Sequence, residues 1–244
     1  GNFVNKYAGG KRSDNELLFR LEREATVNDH WKVLARLDGK WNARDDKSDD
    51  SHSNTLSLER AYVEGKYGTT VIDAGKMPVF TEQGVLVDDD LSGASVTFGA
   101  DTKFSGTIFA GRYDLAHSSW GDEAKEAGFG DNATANVQYL NLNWKPSEKF
   151  NVAGEVLRLG NKKFVHDVAG MDEHSTFWGV GVTWKPEDTV YLSGGYWKHT
   201  SKESAEIKDE HLHAWNVEAG YKGAEPENPR TFGLYAAYRY LGGG

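Results

Sequence analysis

Chemistry-bearing side chains are plentiful in this 244-residue chain, but few are spaced as a reacting group needs. His199, His211 and His213 would converge if residues 189–200 and 211–222 pair as a hairpin, and neutral imidazoles suit transition metals. They also sit at the loop ends of both strands, where polar residues need no special role. Asp45, Asp46, Asp49 and Asp50, and the run Asp88, Asp89, Asp90, offer carboxylate oxygens of the kind calcium takes, without the spacing of a recognised calcium loop. His117 stands beside Ser118 and Ser119, but no Gly-x-Ser-x-Gly elbow is present to expose a nucleophile. Glu155 and Glu218 could pair across a cleft as glycoside hydrolysis requires, although charge lining a polar interior explains them more simply. Cysteine is absent, which excludes disulfides, thiolate ligands and a Cys nucleophile. The chemistry read from the residues is therefore non-enzymatic, with no cofactor and no metal.

The elements that carry these side chains have an unusual composition. Leu, Val, Ile and Phe together make up only about a fifth of the chain, at the edge of what disordered proteins show. Aromatics reach 12%, which disordered chains do not. Such a chain folds without the thick aliphatic core of a soluble domain of this length. No apolar run approaches the roughly 18 residues of a membrane helix. A net charge of −9 argues against nucleic acid as a partner.

The apolar residues recur with period two. Trp31, Val33, Ala35, Leu37 and Trp41 alternate with Lys32, Arg36, Asp38 and Lys40. The same pattern runs through Trp178–Trp184, Trp215–Tyr221 and Phe232–Tyr240. About twelve strands follow, roughly 16–27, 31–43, 56–67, 70–77, 93–100, 104–113, 135–145, 150–160, 175–185, 189–200, 211–222 and 231–241. Short turns near residues 28, 68, 101, 147, 187 and 224 alternate with long polar segments at 44–55, 78–92, 114–134, 161–174 and 201–210. Trp144-Lys145-Pro146-Ser147-Glu148 and Trp184-Lys185-Pro186-Glu187-Asp188 are near copies, as a hairpin repeat requires. Two strands per repeat exclude a propeller, whose blades have four.

This pattern is an all-β, antiparallel up-and-down transmembrane β-barrel over 1–244, with a lipid-facing apolar face and a wet lumen. Trp31, Trp41, Trp144, Trp178, Trp184, Tyr221 and Tyr240 at strand ends form the expected aromatic girdle. With short turns on the periplasmic side, strand 16–27 descends, so an ascending strand should precede it; residues 1–5 hold at most a remnant. Closing the barrel needs an odd number of further strands, about 14, 16 or 18 in total. The chain reads as an internal piece of a longer protein.

Asn28-Asp29-His30-Trp31-Lys32 with Ala35-Arg36-Leu37-Asp38 resembles the porin domain of the S-layer-homology outer-membrane porins (OmpM type) of diderm Firmicutes. So does Gly75-Lys76-Met77-Pro78-Val79-Phe80, followed by Gln83-Gly84, Asp88-Asp89-Asp90 and Gly93-Ala94. The resemblance implies a homotrimer of barrels of about 16 strands. It also implies a parent protein that tethers the outer membrane to peptidoglycan through a domain not seen in this sequence.

Segment 78–92 carries its own apolar cluster, Val85-Leu86-Val87, and is expected to fold inward as a constriction loop. Its Glu82, Asp88, Asp89 and Asp90 would face Arg20, Lys32, Arg36, Lys40, Arg60 and Arg239 on lumen faces, setting ion selectivity. The expected function is passive diffusion of ions and small hydrophilic solutes through an outer-membrane porin. The alternatives are an envelope-anchoring barrel and a soluble aromatic-rich carbohydrate-binding β-protein. A membrane barrel should depend on detergent and migrate in a heat-modifiable manner on gels. A soluble sandwich should do neither.

Overall fold

The computed structural model describes residues 3–8, 12–13, 16–42, 55–114, 134–160, 174–200, 213–221 and 234–241. They form one antiparallel sheet of 14 strands. In chain order these are β1 (Phe3–Ala8), β2 (Arg12–Ser13), β3 (Glu16–Thr26), β4 (Trp31–Asn42), β5 (Thr55–Tyr67), β6 (Thr70–Phe80) and β7 (Asp88–Phe98). They continue as β8 (Phe104–Asp114), β9 (Thr134–Ser147), β10 (Phe150–Gly160), β11 (His174–Glu187), β12 (Val190–Thr200), β13 (His213–Tyr221) and β14 (Leu234–Leu241). Apart from β2, a short flap on β3, each strand pairs with its sequence neighbours, the up-and-down order that alternating turns and loops dictate. The ascending strand expected before residue 16 is β1, which runs beyond the anticipated remnant and pairs with β3 along its whole length. No pairing between β1 and β14 is present among the described residues.

The period-two pattern sorts the faces as expected. Val96, Ile108, Leu140, Leu142, Val156, Val180, Val182, Leu192 and Val217 are exposed on one face. On the other, Thr97 and Thr107 share a hydrogen bond, and Asn141, Thr183 and Glu155 follow along β9 to β11. The sheet is rolled around this polar face. Gln83, just after β6, reaches Gly194 on β12 and Asn216 on β13, although five strands lie between β6 and β12 along the sheet and six between β6 and β13.

The buried core is not between two layers of secondary structure. It lies inside the roll, where Met77, Val79, Val87 and Leu91 of the β6–β7 hairpin pack on Phe109, Val137, Tyr139 and Leu157 of the β8–β10 wall. This placement is possible because the hairpin leaves the wall. Pairing of β5 with β6 stops at Ala61 and Lys76, and pairing of β7 with β8 stops at Ser92 and Arg112. Yet β6 and β7 stay paired to Phe80 and Asp88. Segment 78–92 is thus mostly strand, and only residues 81–87 connect; its apolar alternation continues the hairpin instead of ending it.

Departure requires a backbone irregularity, and Gly75 provides it with φ 129°. A Cβ there would lie 2.4 Å from the Ala61 carbonyl oxygen. Gly75→Ala should therefore cost about 1–3 kcal/mol, read as a lowered urea midpoint of the folded protein in lipid vesicles with unchanged slope. An unchanged midpoint would mean that the hairpin leaves the wall without help from this residue.

Candidate functional site

The hairpin tip is built on Thr81, which is 0% exposed. Its Oγ1 accepts the backbone N–H groups of Leu86 and Val87 and donates to the Val87 carbonyl, while its own N–H donates to the same carbonyl. The Thr81 carbonyl accepts from the Gly84 N–H. Gln83 (φ 53°) and Gly84 (φ 65°) turn the chain through the left-handed region, which Gly adopts without cost and Gln does not. A small closed turn of this kind satisfies its own backbone groups, so it can be buried in the lumen.

Three strands then hold the tip. The Glu82 N–H donates to Glu155 Oε2 (2.8 Å) on β10. Gln83 Nε2 donates to the Gly194 carbonyl (2.8 Å) on β12, and Asn216 Nδ2 on β13 donates to Gln83 Oε1 (2.9 Å). Glu155 is the hub. It is 4% exposed and also accepts the Tyr139 hydroxyl (2.7 Å) and the Trp197 indole N–H (2.8 Å). Three donors compensate a buried carboxylate that would otherwise be costly. Gly179, Gly181 and Gly195 make room, for Cβ atoms there would strike the Trp197 ring or the Glu82 side chain. Burial pushes the Glu82 carboxyl above the ordinary glutamate range, and the nearby Glu155 charge adds to the shift.

A cavity of about 420 Å³ lies beside the tip, lined by Glu82, Gln83, Thr107, Asn141, Asn143 and Thr183 among others. On the other side stand the bases of β3 to β5. Arg20 and Arg36 both grip Asp38 with paired nitrogen–oxygen contacts of 2.7–3.1 Å. Arg60 Nε donates to Asp90 Oδ1 (2.6 Å) across the opening left by the departing hairpin. The Lys76 ammonium donates to the Leu58 carbonyl at the same opening. Lys32 lies between Glu24 and Glu64 (3.3 and 3.4 Å), and Arg239 lies 3.9 Å from Glu218.

Among the described residues, the anticipated opposition of loop acids and wall bases is therefore formed directly by one pair, Arg60–Asp90. Strand geometry is the reason: successive residues of a strand point to opposite faces. Asp89 accepts the Tyr113 hydroxyl toward β8, Asp90 turns to β5, and Asp88 is exposed. Arg20 and Lys32 instead find carboxylates on adjacent strands, a cross-strand pairing that only the register reveals, while Arg36 takes Asp38 two residues on along its own strand. Lys40 lies on the inward face of β4 with its own partner.

Other anticipated residues separate more cleanly. Trp144, Trp184 and Tyr221 are exposed at the short-turn ends of their strands, and Trp31 donates to the Tyr67 hydroxyl at that level. At the loop ends, Trp178 meets Tyr196, and Trp215 meets Tyr238 and Tyr240. Trp41 belongs to β4, but its side chain lies outside the described residues. His199 and His213 do not converge. Lys198 is the register partner of His213, so His199 faces inward against Phe177 while His213 faces outward between Tyr196 and Tyr240. His117, Ser118, Ser119, His211 and the Asp45–Asp50 cluster lie outside the described residues.

Trp197, 2% exposed on the inward face, was not singled out in the sequence. A signal existed: Val137, Tyr139, Leu157, Phe177 and Trp197 are apolar at inward parity, next to outward Leu140, Val156, Trp178 and Tyr196. Where alternation fails on both faces, something must cover the wet one.

The sequence matches no protein-family model and no curated protein. Solved structures do resemble the fold. The high-pH structure of OprB from Pseudomonas putida aligns over 96% of this chain and 72% of its own, with 12% identity and a TM-score of 0.57. The trimer form of OmpT, an outer-membrane protein of Vibrio cholerae, aligns over 98% of this chain and 77% of its own, with 14% identity and a TM-score of 0.56. The likeness is one of fold: an antiparallel up-and-down sheet of the outer-membrane β-barrel type.

If the Glu155 carboxylate is what holds the tip, Glu155→Leu should release it. Amide hydrogen exchange at Glu82 and Val87 should accelerate at least tenfold, the loss of about 1.5–3 kcal/mol expected for a hydrogen bond to a charged group. Protection unchanged in that variant would assign the anchoring to Gln83 and the apolar packing instead.

Proposed function

We propose that the chain forms a water-filled outer-membrane channel for passive diffusion of ions and small hydrophilic solutes. The observation that carries this reading is the β6–β7 hairpin folded into a roll whose outward face is apolar and whose inward face is polar. Such a sheet is inside out for water and right for lipid. A hairpin inside the roll narrows the passage at residues 81–90, between the Glu82–Glu155 side and the Arg20, Arg36 and Arg60 side. No turnover and no cofactor enter the account. Fixed charges of both signs across a narrow passage orient dipolar solutes and disfavour apolar ones.

Small hydrophilic solutes and outer-membrane lipid are the partners in this reading. A homotrimer fits it, by likeness to the trimer form of OmpT. The resemblance to S-layer-homology porins adds a tether to peptidoglycan through a further domain of a parent protein. A carbohydrate-binding sandwich fits less well, because the outward-facing tryptophans, Trp144 and Trp184 at the short-turn end and Trp178 and Trp215 at the loop end, stand at both ends of the strands of one rolled sheet instead of gathering on one binding face.

Single-channel recording in planar bilayers tests the proposal. Stable ohmic steps are expected from the folded protein, and their absence with a folded barrel present would sink it. Replacing Asp88, Asp89 and Asp90 by Asn should shift the reversal potential toward anion preference, and Arg20, Arg36 and Arg60 to Gln should shift it the other way. Unmoved reversal potentials would leave the channel standing but remove these residues from its narrowest part.

A further inference from the structure

One stretch of the inner wall is built from neutral hydrogen-bonding groups. On β8, β9 and β11 the outward positions are taken by Ile108, Leu142 and Val182. The alternate, inward positions are polar. Register sets Thr107 beside Asn141, then Asn143 beside Ala153 one inward step nearer the short turns, and Asn151 beside Thr183 one step further. Glu155 stands opposite Asn141, but its carboxylate is already engaged by three donors. On β3 to β5, by contrast, Arg20, Lys32 and Arg36 bring paired charges to the lumen.

The cavity of about 420 Å³ beside the hairpin tip opens on this neutral wall. Among the described residues that line it, Glu82 is the only carboxylate and there is no base. The lining also includes an aromatic ring. Phe80, the last residue of β6, is 64% exposed although it belongs to the hairpin folded into the roll. A Cβ on Gly84 would come within 2.8 Å of that ring, so the ring leans on the turn while it borders the cavity. On the wall, Oδ1 of Asn143 and of Asn151 is buried and accepts no hydrogen bond among the described residues. A buried acceptor without a donor is the exception in folded proteins, and Asn143 lines the cavity.

We propose that Phe80, Thr107, Asn141, Asn143 and Thr183 form a subsite for neutral polyhydroxylated solutes, sugars above all, beside the constriction. The inference rests on the channel reading and names the solute class that the passage favours. Amide and hydroxyl groups both donate and accept hydrogen bonds, as sugar hydroxyls do. With no base in the lining, a carboxylate or phosphate would shed its water without gaining a partner. The ring supplies an apolar surface with a negative face for the C–H side of a sugar. Apolar surface with a few fixed polar groups, in a space of about 300–1,000 Å³, is how small-molecule sites are generally built.

Sucrose is the probe. With the whole chain folded in lipid nanodiscs, saturation-transfer NMR should show sucrose contact that saturates with concentration. Gluconate, a hydroxylated carboxylate, and choline, a compact cation, should each bind more weakly by about fivefold or more. Phe80→Ala and Asn143→Leu should each weaken sucrose binding by about fivefold, the loss of one ring contact or one hydrogen bond, while F80Y keeps it. Phe80 is exposed, so its variants decide the matter if Asn143→Leu does not fold. No saturable sucrose signal from wild type, or undiminished binding in Phe80→Ala and Asn143→Leu, would overturn the subsite. Gluconate or choline binding as tightly as sucrose would overturn the neutral-solute assignment. The NMR signal needs no current, which keeps the two readings apart. A conducting protein that does not bind sucrose loses the subsite alone, and a sucrose-binding protein that does not conduct loses the channel.

Discussion

A carboxylate buried inside a rolled sheet governs this structure. Glu155 accepts hydrogen bonds from Tyr139, Trp197 and the Glu82 backbone, and these come from three different parts of the chain. Its own wall strand, the neighbouring wall and the incoming hairpin tip are joined at one residue. Leaving any of these donors without the acceptor would strand polar groups in a nearly closed space, so the arrangement is held together by what breaking it would cost. The second anchor, Gln83 between Gly194 and Asn216, secures the tip two strands further on. Without these contacts the hairpin would have no reason to cross the lumen.

The hairpin in turn explains how a chain so poor in aliphatic residues obtains a core. Its Met77, Val79 and Leu91 cover the inward apolar residues of β8 to β10, which would otherwise face water. Most other apolar side chains among the described residues lie on the outward face, where lipid replaces a second protein layer. The same departure opens the wall between β5 and β8, and Arg60 with Asp90 closes that opening electrostatically. One local event at Gly75 thus separates the inward hairpin from the wall it leaves.

Much of this was legible in the residues. Strand positions follow from period two, and the starts of strands such as Trp31, Thr70, Phe104 and Phe150 follow from short turns. The inward course of segment 78–92 was suggested by the apolar Val85-Leu86-Val87, of which Val87 is buried. Pro78 reads as a loop opener, whereas β6 continues through it to Phe80, because proline tolerates an edge where no ladder partner is needed. The convergence of histidines failed because a one-residue difference in register reverses a side chain's face.

The sequence by itself determined which side chains meet lipid and which meet the interior, since alternation along an extended strand is a property of local covalent geometry. It also determined the order of strands, because short turns permit only antiparallel neighbours. Which inward side chains touch across the roll was decided only in three dimensions. Glu155, Trp197 and Glu82 are brought together by sheet curvature, register and the departure of a hairpin, and none of these is set by nearest neighbours in the chain. Pairing of Arg20 with Asp38, and of Arg60 with Asp90, belongs to the same class. Each depends on which residues stand opposite once every strand has settled, and a shift of one position anywhere along the ladder would choose differently.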